Sequence, residues 1–127
     1  MSPRLPVVYV AGPYRAHTRA QVSLNIQSAR AIGLIAIRNG WSAVIPHANT
    51  GDLDLHAPDI PDAFWLEATL ELMRRCDAVV LAPGHDKSEG TQGEIAEALR
   101  LGIPVFTAIR KLPSASEFNL AAVALEA

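Results

Sequence analysis

Apolar residues fall into short unbroken runs separated by stretches in which they return every three or four positions, the alternation expected of buried strands and half-buried helices. The first run, Val-Val-Tyr-Val-Ala from Val7 to Ala11, is rich in strand formers and stops at Gly12-Pro13. Thr18-Arg-Ala-Gln21 has the form of a capping box, and Val22, Ile26, Ala29, Ile32, Leu34, Ile35 and Ala36 follow at roughly helical spacing until Asn39-Gly40. A second strand is predicted at 42–45, stopped by Pro46, and a second helix at 64–75 on Leu66, Leu70 and Met73. The run Ala-Val-Val-Leu-Ala after Asp77 is the clearest strand, and its unbroken apolarity places it centrally in a covered sheet. A third helix is predicted at 91–101, capped by Gly102, then an edge-leaning strand at 104–109. Ser114-Ala-Ser-Glu117 offers another capping box, for an apolar last helix over about 117–125. Between 47 and 62 there is no periodicity, only Asp52, Asp54, Asp59 and Asp62 with Pro58 and Pro61, a connection long enough to imply function or mobility.

Strands alternating with helices predict a single α/β domain of three layers, with a Rossmann-like or flavodoxin-like parallel sheet of four to five strands. A length of 127 residues suits one core. Half the residues are apolar and the net charge is only -2, which fits a folded globular chain and argues against the basic face needed to bind polymeric nucleic acid. A free nucleotide remains compatible, since a few aimed donors hold one phosphate. No window approaches the apolar length of a membrane span, and the first residues lack a secretory leader, so no membrane partner and a cytoplasmic location are expected. Cys76 is the only cysteine, which excludes an intrachain disulfide and a cysteine metal cluster.

Ligands of open α/β sheets lie outside the carboxyl ends of the strands. Three loops qualify: Gly12-Pro13-Tyr14-Arg15, the 47–62 connection, and 84–93. In the third, Ser88 supplies a hydroxyl, Gly90 allows close backbone approach, and the following helix start favours an anion. Glu94 reads two ways, as a cap reaching back to the Thr91 amide or as a catalytic carboxylate. Gly93, costly in a first turn by up to about 1 kcal/mol relative to alanine, argues for a ligand pressed there. The helix field would keep Glu94 ionised, suiting a nucleophile rather than a general acid. Tyr9 is either a core ring or a donor that orients a carboxylate, and Arg15 either a solvent residue or a phosphate donor. His47 is a ligand contact or ordinary loop chemistry. With His56, Asp52 and Asp54 it matches no metal template, so no metal and no cofactor are expected. Trp65 and Trp41 could line a pocket, although Trp41 after Gly40 reads better as packing a helix on the sheet. Cys76 reads as a small core residue and Asp77 as structural.

Tyr9-Val-Ala-Gly-Pro-Tyr-Arg15, Val44-Ile-Pro-His47, the segment from Cys76 to Gly84, Lys87-Ser-Glu-Gly-Thr-Gln-Gly-Glu94 and the segment from Glu97 to Phe106 together resemble the nucleoside 2-deoxyribosyltransferase-like superfamily, which includes small nucleotide N-glycosidases. The resemblance spans nearly the whole chain. It implies that Glu94 attacks the anomeric carbon, that Tyr9 holds this carboxylate, and that Ser88, Gly90 and Arg15 bind a 5′-phosphate. The substrate implied is a nucleoside or nucleoside monophosphate, cleaved by hydrolysis or by transfer to a second base. Asn119-Leu120 is similar to a pair whose asparagine enters the neighbouring subunit's site, which implies a homodimer or higher homo-oligomer. Relatives place an aspartate near the leaving base where this chain has Thr69, which cannot supply a carboxylic proton. A non-catalytic nucleotide sensor is the rival implied by that departure.

Overall fold

The computed structural model describes residues 4–126, with side chains through residue 122. In chain order the elements are β1 (Val7–Ala11), α1 (Arg19–Arg38), β2 (Ser42–Val44), α2 (Pro46–Asn49), α3 (Leu53–His56), α4 (Asp62–Arg74), β3 (Ala78–Leu81), α5 (Glu89–Leu101), β4 (Val105–Phe106) and α6 (Ala115–Glu126). The four strands form one parallel sheet in the order β2-β1-β3-β4.

Alternation along the two central strands builds the layers. Val8, Val10, Ala78 and Val80 face Ala29, Ile32 and Ala36 of α1, together with Trp41, Leu112 and Ala115. Tyr9, Ala11, Val79 and Leu81 face the opposite way, onto Met73, Cys76 and Ala98 from the α4 and α5 side. The chain is thus a single α/β domain with helices on both faces of the sheet. No helix among the described residues is long and apolar enough to cross a membrane.

Several local signals act as the side-chain chemistry predicts. Thr18 accepts from the Gln21 amide and starts α1. Its end closes with Gly40 at φ +93°, where the Gly40 amide bonds Ile37 O and the Trp41 amide bonds Ala36 O. Trp41 packs on Phe118, and its indole N–H donates to Pro113 O at 2.9 Å, so it fastens α6 to the sheet. Ser114 and Glu117 form a reciprocal box at the start of α6. Cys76 is buried, its thiol pushed up to about 11 by that burial. Asp77 accepts from the Val7 amide at 2.8 Å and pairs with Arg4, tying β1 to the start of β3 at the amino edge.

Other boundaries differ from the pattern. The aperiodic connection contains two one-turn helices, α2 and α3, too short to leave a periodic signature. β4 spans only Val105–Phe106, because it pairs with β3 alone and the chain then turns into a 3₁₀ segment at Ile109–Lys111. α5 begins at Glu89, two residues before the predicted start, because Ser88 and not Thr91 is its cap.

Candidate functional site

The loops at the carboxyl ends of β1, β2 and β3 enclose a cavity of about 500 Å³. At its base the Tyr9 ring is fully buried in β1 while its hydroxyl donates to Glu94 Oε2, so the ring packs in the core and the hydroxyl meets a carboxylate. Burial, reinforced by the charge of Glu94, pushes the Tyr9 phenol far above its usual range and keeps it a donor.

The Glu94 carboxylate does not cap the helix. The Ser88 hydroxyl accepts from the Thr91 amide at 3.3 Å and from the Thr91 hydroxyl at 2.9 Å, so Thr91 lies inside the first turn with its side chain buried. Glu94 consequently sits in the second turn, away from the unpaired amides that would hold it ionised. Burial instead raises its carboxyl to about 7, against the lowering effect of the Tyr9 hydrogen bond. This corrects the expectation of an ordinary ionised carboxylate: near neutrality both forms are populated. Gly93 is exposed, lies outside the cavity lining and has open space where a Cβ would stand, so no ligand in this cavity explains it.

Gly12 lets the chain leaving β1 run closely beside the chain leaving β3, since a Cβ there would lie 2.5 Å from Ala82 Cβ. His47 is only 5% exposed and braces the same loop. Its Nε2 lies 3.0 Å from Gly12 O and 3.1 Å from Pro13 O; two carbonyl acceptors require the proton on Nε2. Nδ1 is then a bare acceptor, buried without a hydrogen-bond partner. Burial lowers the imidazole's affinity for a second proton despite the carbonyl bonds. His47 therefore borders the cavity chiefly as a neutral strut.

Around the mouth stand Arg15, Lys87, Ser88 and Gly90, with Trp65, Leu66 and Thr69 forming a wall from α4. Gly90 admits a Cβ at ordinary contact, 3.6 Å from Leu66, so the protein's own packing does not demand glycine there. As the first two residues of α5, Glu89 and Gly90 have amides without intrahelical acceptors. The Thr69 hydroxyl donates to Leu66 O at 2.9 Å within its own helix. Arg15 binds Asp54 at 3.2 Å and Asp62 at 2.8 Å. Tyr14 donates to Asp54 at 3.1 Å and accepts from the Asp52 amide at 3.0 Å, while Arg19 pairs with Asp52. Sequence reasoning missed this web, as well as Lys87 and Thr91; the density of aspartates between 52 and 62 was its only local sign.

Tyr9, Gly12, Arg15, His47, Ser88, Gly90 and Glu94 thus border one cavity. Asn119 does not join them. Its amide donates to Arg4 O at 3.2 Å, beside a shallow depression at the amino end of the sheet. Among the described residues, no group of three or more His, Cys, Asp or Glu side chains is arranged to hold a metal ion.

A family model matches residues 6–108. The chain belongs to the DUF7768 family, a domain of unknown function. The DUF7768 match includes all four strands and every residue bordering the cavity, and ends before α6. No curated protein matches the chain in a sequence search.

Proposed function

We propose that this DUF7768 protein cleaves the N-glycosidic bond of a nucleoside 5′-monophosphate or related nucleotide, with Glu94 as nucleophile. The observation that carries the reading is the Glu94 carboxylate, part-buried and held by the Tyr9 hydroxyl at the base of a cavity whose mouth offers cationic and amide donors. The sequence resemblance to the nucleoside 2-deoxyribosyltransferase-like superfamily supports it. So does the strand order 2-1-3-4, which matches the first four places of a flavodoxin-like sheet, the finer fold we assign.

In this scheme the ionised Glu94 attacks C1′ and forms a glycosyl ester. The C1′–N electron pair leaves with the base, which takes its proton from water because the Thr69 hydroxyl is engaged with Leu66 O. Water then cleaves the ester, its hydroxyl going to C1′ and the released proton neutralising the hydroxide left by the base, so that Glu94 returns as the carboxylate. The α5 amides of Glu89 and Gly90, the Ser88 hydroxyl and Arg15 hold the phosphate. Asn119 lies away from its own cavity, so a site shared through it requires a homodimer or higher homo-oligomer.

Chromatographic detection of free base from a panel of ribo- and deoxyribonucleoside monophosphates, with Glu94→Gln as control, tests the reading. Release by the parent and not by the variant supports cleavage. Tight binding of intact nucleotide without release favours the sensor reading, which the absence of a carboxylate at Thr69 motivates.

A further inference from the structure

Among the described residues Arg15 is one of two cations bordering the cavity, with Lys87, and it is already occupied. Its guanidinium takes Asp54 on one nitrogen and Asp62 on the other, the fork geometry that would otherwise grip a phosphate. The two carboxylates are held unequally. Asp54 is largely covered, bound also by the Tyr14 hydroxyl and 3.8 Å from Arg19. Asp62 is mostly exposed and its only ion pair among the described residues is with Arg15. Although burial acts the other way, the Tyr14 hydrogen bond and the charges of Arg15 and Arg19 hold the Asp54 carboxyl below its usual range, so it remains charged wherever the protein is folded near neutrality.

We propose that Asp54 and Asp62 are specificity-determining residues that occupy Arg15 as internal counter-anions, so that an anionic ligand group gains this cation only by displacing them. The inference rests on the reading above insofar as the ligand presents a phosphate at the cavity mouth. Its consequence is a narrowed preference: a phosphorylated ligand keeps the α5 amides but must compete for Arg15, whereas an unphosphorylated one pays no such competition. Asp62, exposed and singly paired, yields first. Asp54 stays bound to Tyr14 and continues to repel the incoming charge across a short distance.

Calorimetry with inorganic phosphate and with ribose 5-phosphate, neither of which carries a base, tests this on the intact chain. Asp62→Asn should bind both probes about threefold more tightly than the parent, and Asp54→Asn with Asp62→Asn at least tenfold. Adding Arg15→Gln to the double variant should remove the gain. Ribose, lacking phosphate, should bind all forms equally. Thermal melting checks that the variants are folded; the exposed Asp62→Asn change carries the test even where Asp54→Asn disturbs the Tyr14 contact. Equal affinity of the parent and Asp62→Asn for phosphate, or a gain that survives Arg15→Gln, would overturn the proposal. Base release is read separately: its absence alongside the expected affinity changes removes the glycosidase reading and leaves the competition for Arg15 standing.

Discussion

Replacing Glu94 by glutamine should abolish base release and, above neutrality, make the protein more stable. The carboxyl stands at about 7 in the folded protein against an ordinary value of 4.5. At about 1.4 kcal/mol per pH unit the full difference corresponds to about 3 kcal/mol, reduced to about 2 by the water that reaches a group bordering an open cavity. The sign follows from proton binding. The folded carboxyl holds its proton more tightly than the unfolded one, so ionisation costs the folded state nothing below about pH 4. The cost grows as pH rises through the interval between 4.5 and about 7, and is complete above it. Glutamine keeps the shape, still accepts from the Tyr9 hydroxyl and cannot ionise. Urea unfolding at pH 4, 6 and 8 should therefore show a difference near zero at pH 4, growing to about 2 kcal/mol in favour of the variant at pH 8, with unchanged m-values. A variant that is less stable at pH 8, or a difference independent of pH, would refute the claim that burial disfavours the ionised form of Glu94.

Three further outcomes are expected. Base release should rise with pH through a single ionisation near 7 and then level off, since Tyr9 stays protonated throughout; a descending alkaline limb in the rate profile would count against this assignment. Tyr9→Phe should move that midpoint upward by about one pH unit, because a hydrogen bond to a charged acceptor contributes about 1.5–3 kcal/mol, and an unmoved midpoint would show that the hydroxyl does not stabilise the carboxylate. Gly12→Ala should destabilise the fold by about 1–3 kcal/mol in chemical denaturation, because its methyl would press on Ala82 where β1 and β3 end side by side; an unchanged midpoint would mean that the loop shifts freely.

Much of the fold is legible in local pattern because its strands are short, covered and punctuated: Gly12-Pro13 ends β1, Pro46 follows β2, and Asp77 marks the start of β3. Gly102 at φ +74° closes α5 as its position foretells. The start of α5 was illegible for a definite reason. Ser88-Glu-Gly-Thr91 and Thr91-Gln-Gly-Glu94 are overlapping cap patterns, and only tertiary structure selects between them, by burying Thr91 and offering Glu94 a partner in β1. That choice also inverts the electrostatics of Glu94, because a second-turn position loses the helix field and gains desolvation. Topology pointed to the three loops but not to every lining residue, Lys87 and Thr91 among those missed, and the aspartates that occupy Arg15 come from about forty residues away along the chain and leave no periodic trace. His47 was visible as chemistry but not as a strut, since its partners are main-chain carbonyls that any residue supplies.

One helix carries both ends of the site, with Gly90 at its first turn and Glu94 four residues on. At about 1.5 Å of rise per residue, the first-turn amides and the Glu94 carboxylate are about 6 Å apart along the axis and lie on one side of it. This spacing is a ruler cut into rigid backbone. Loop exchanges at 84–88 or 50–62 can change what enters the mouth, but not this length, against which the proposed nucleotide would be measured between its phosphate and C1′.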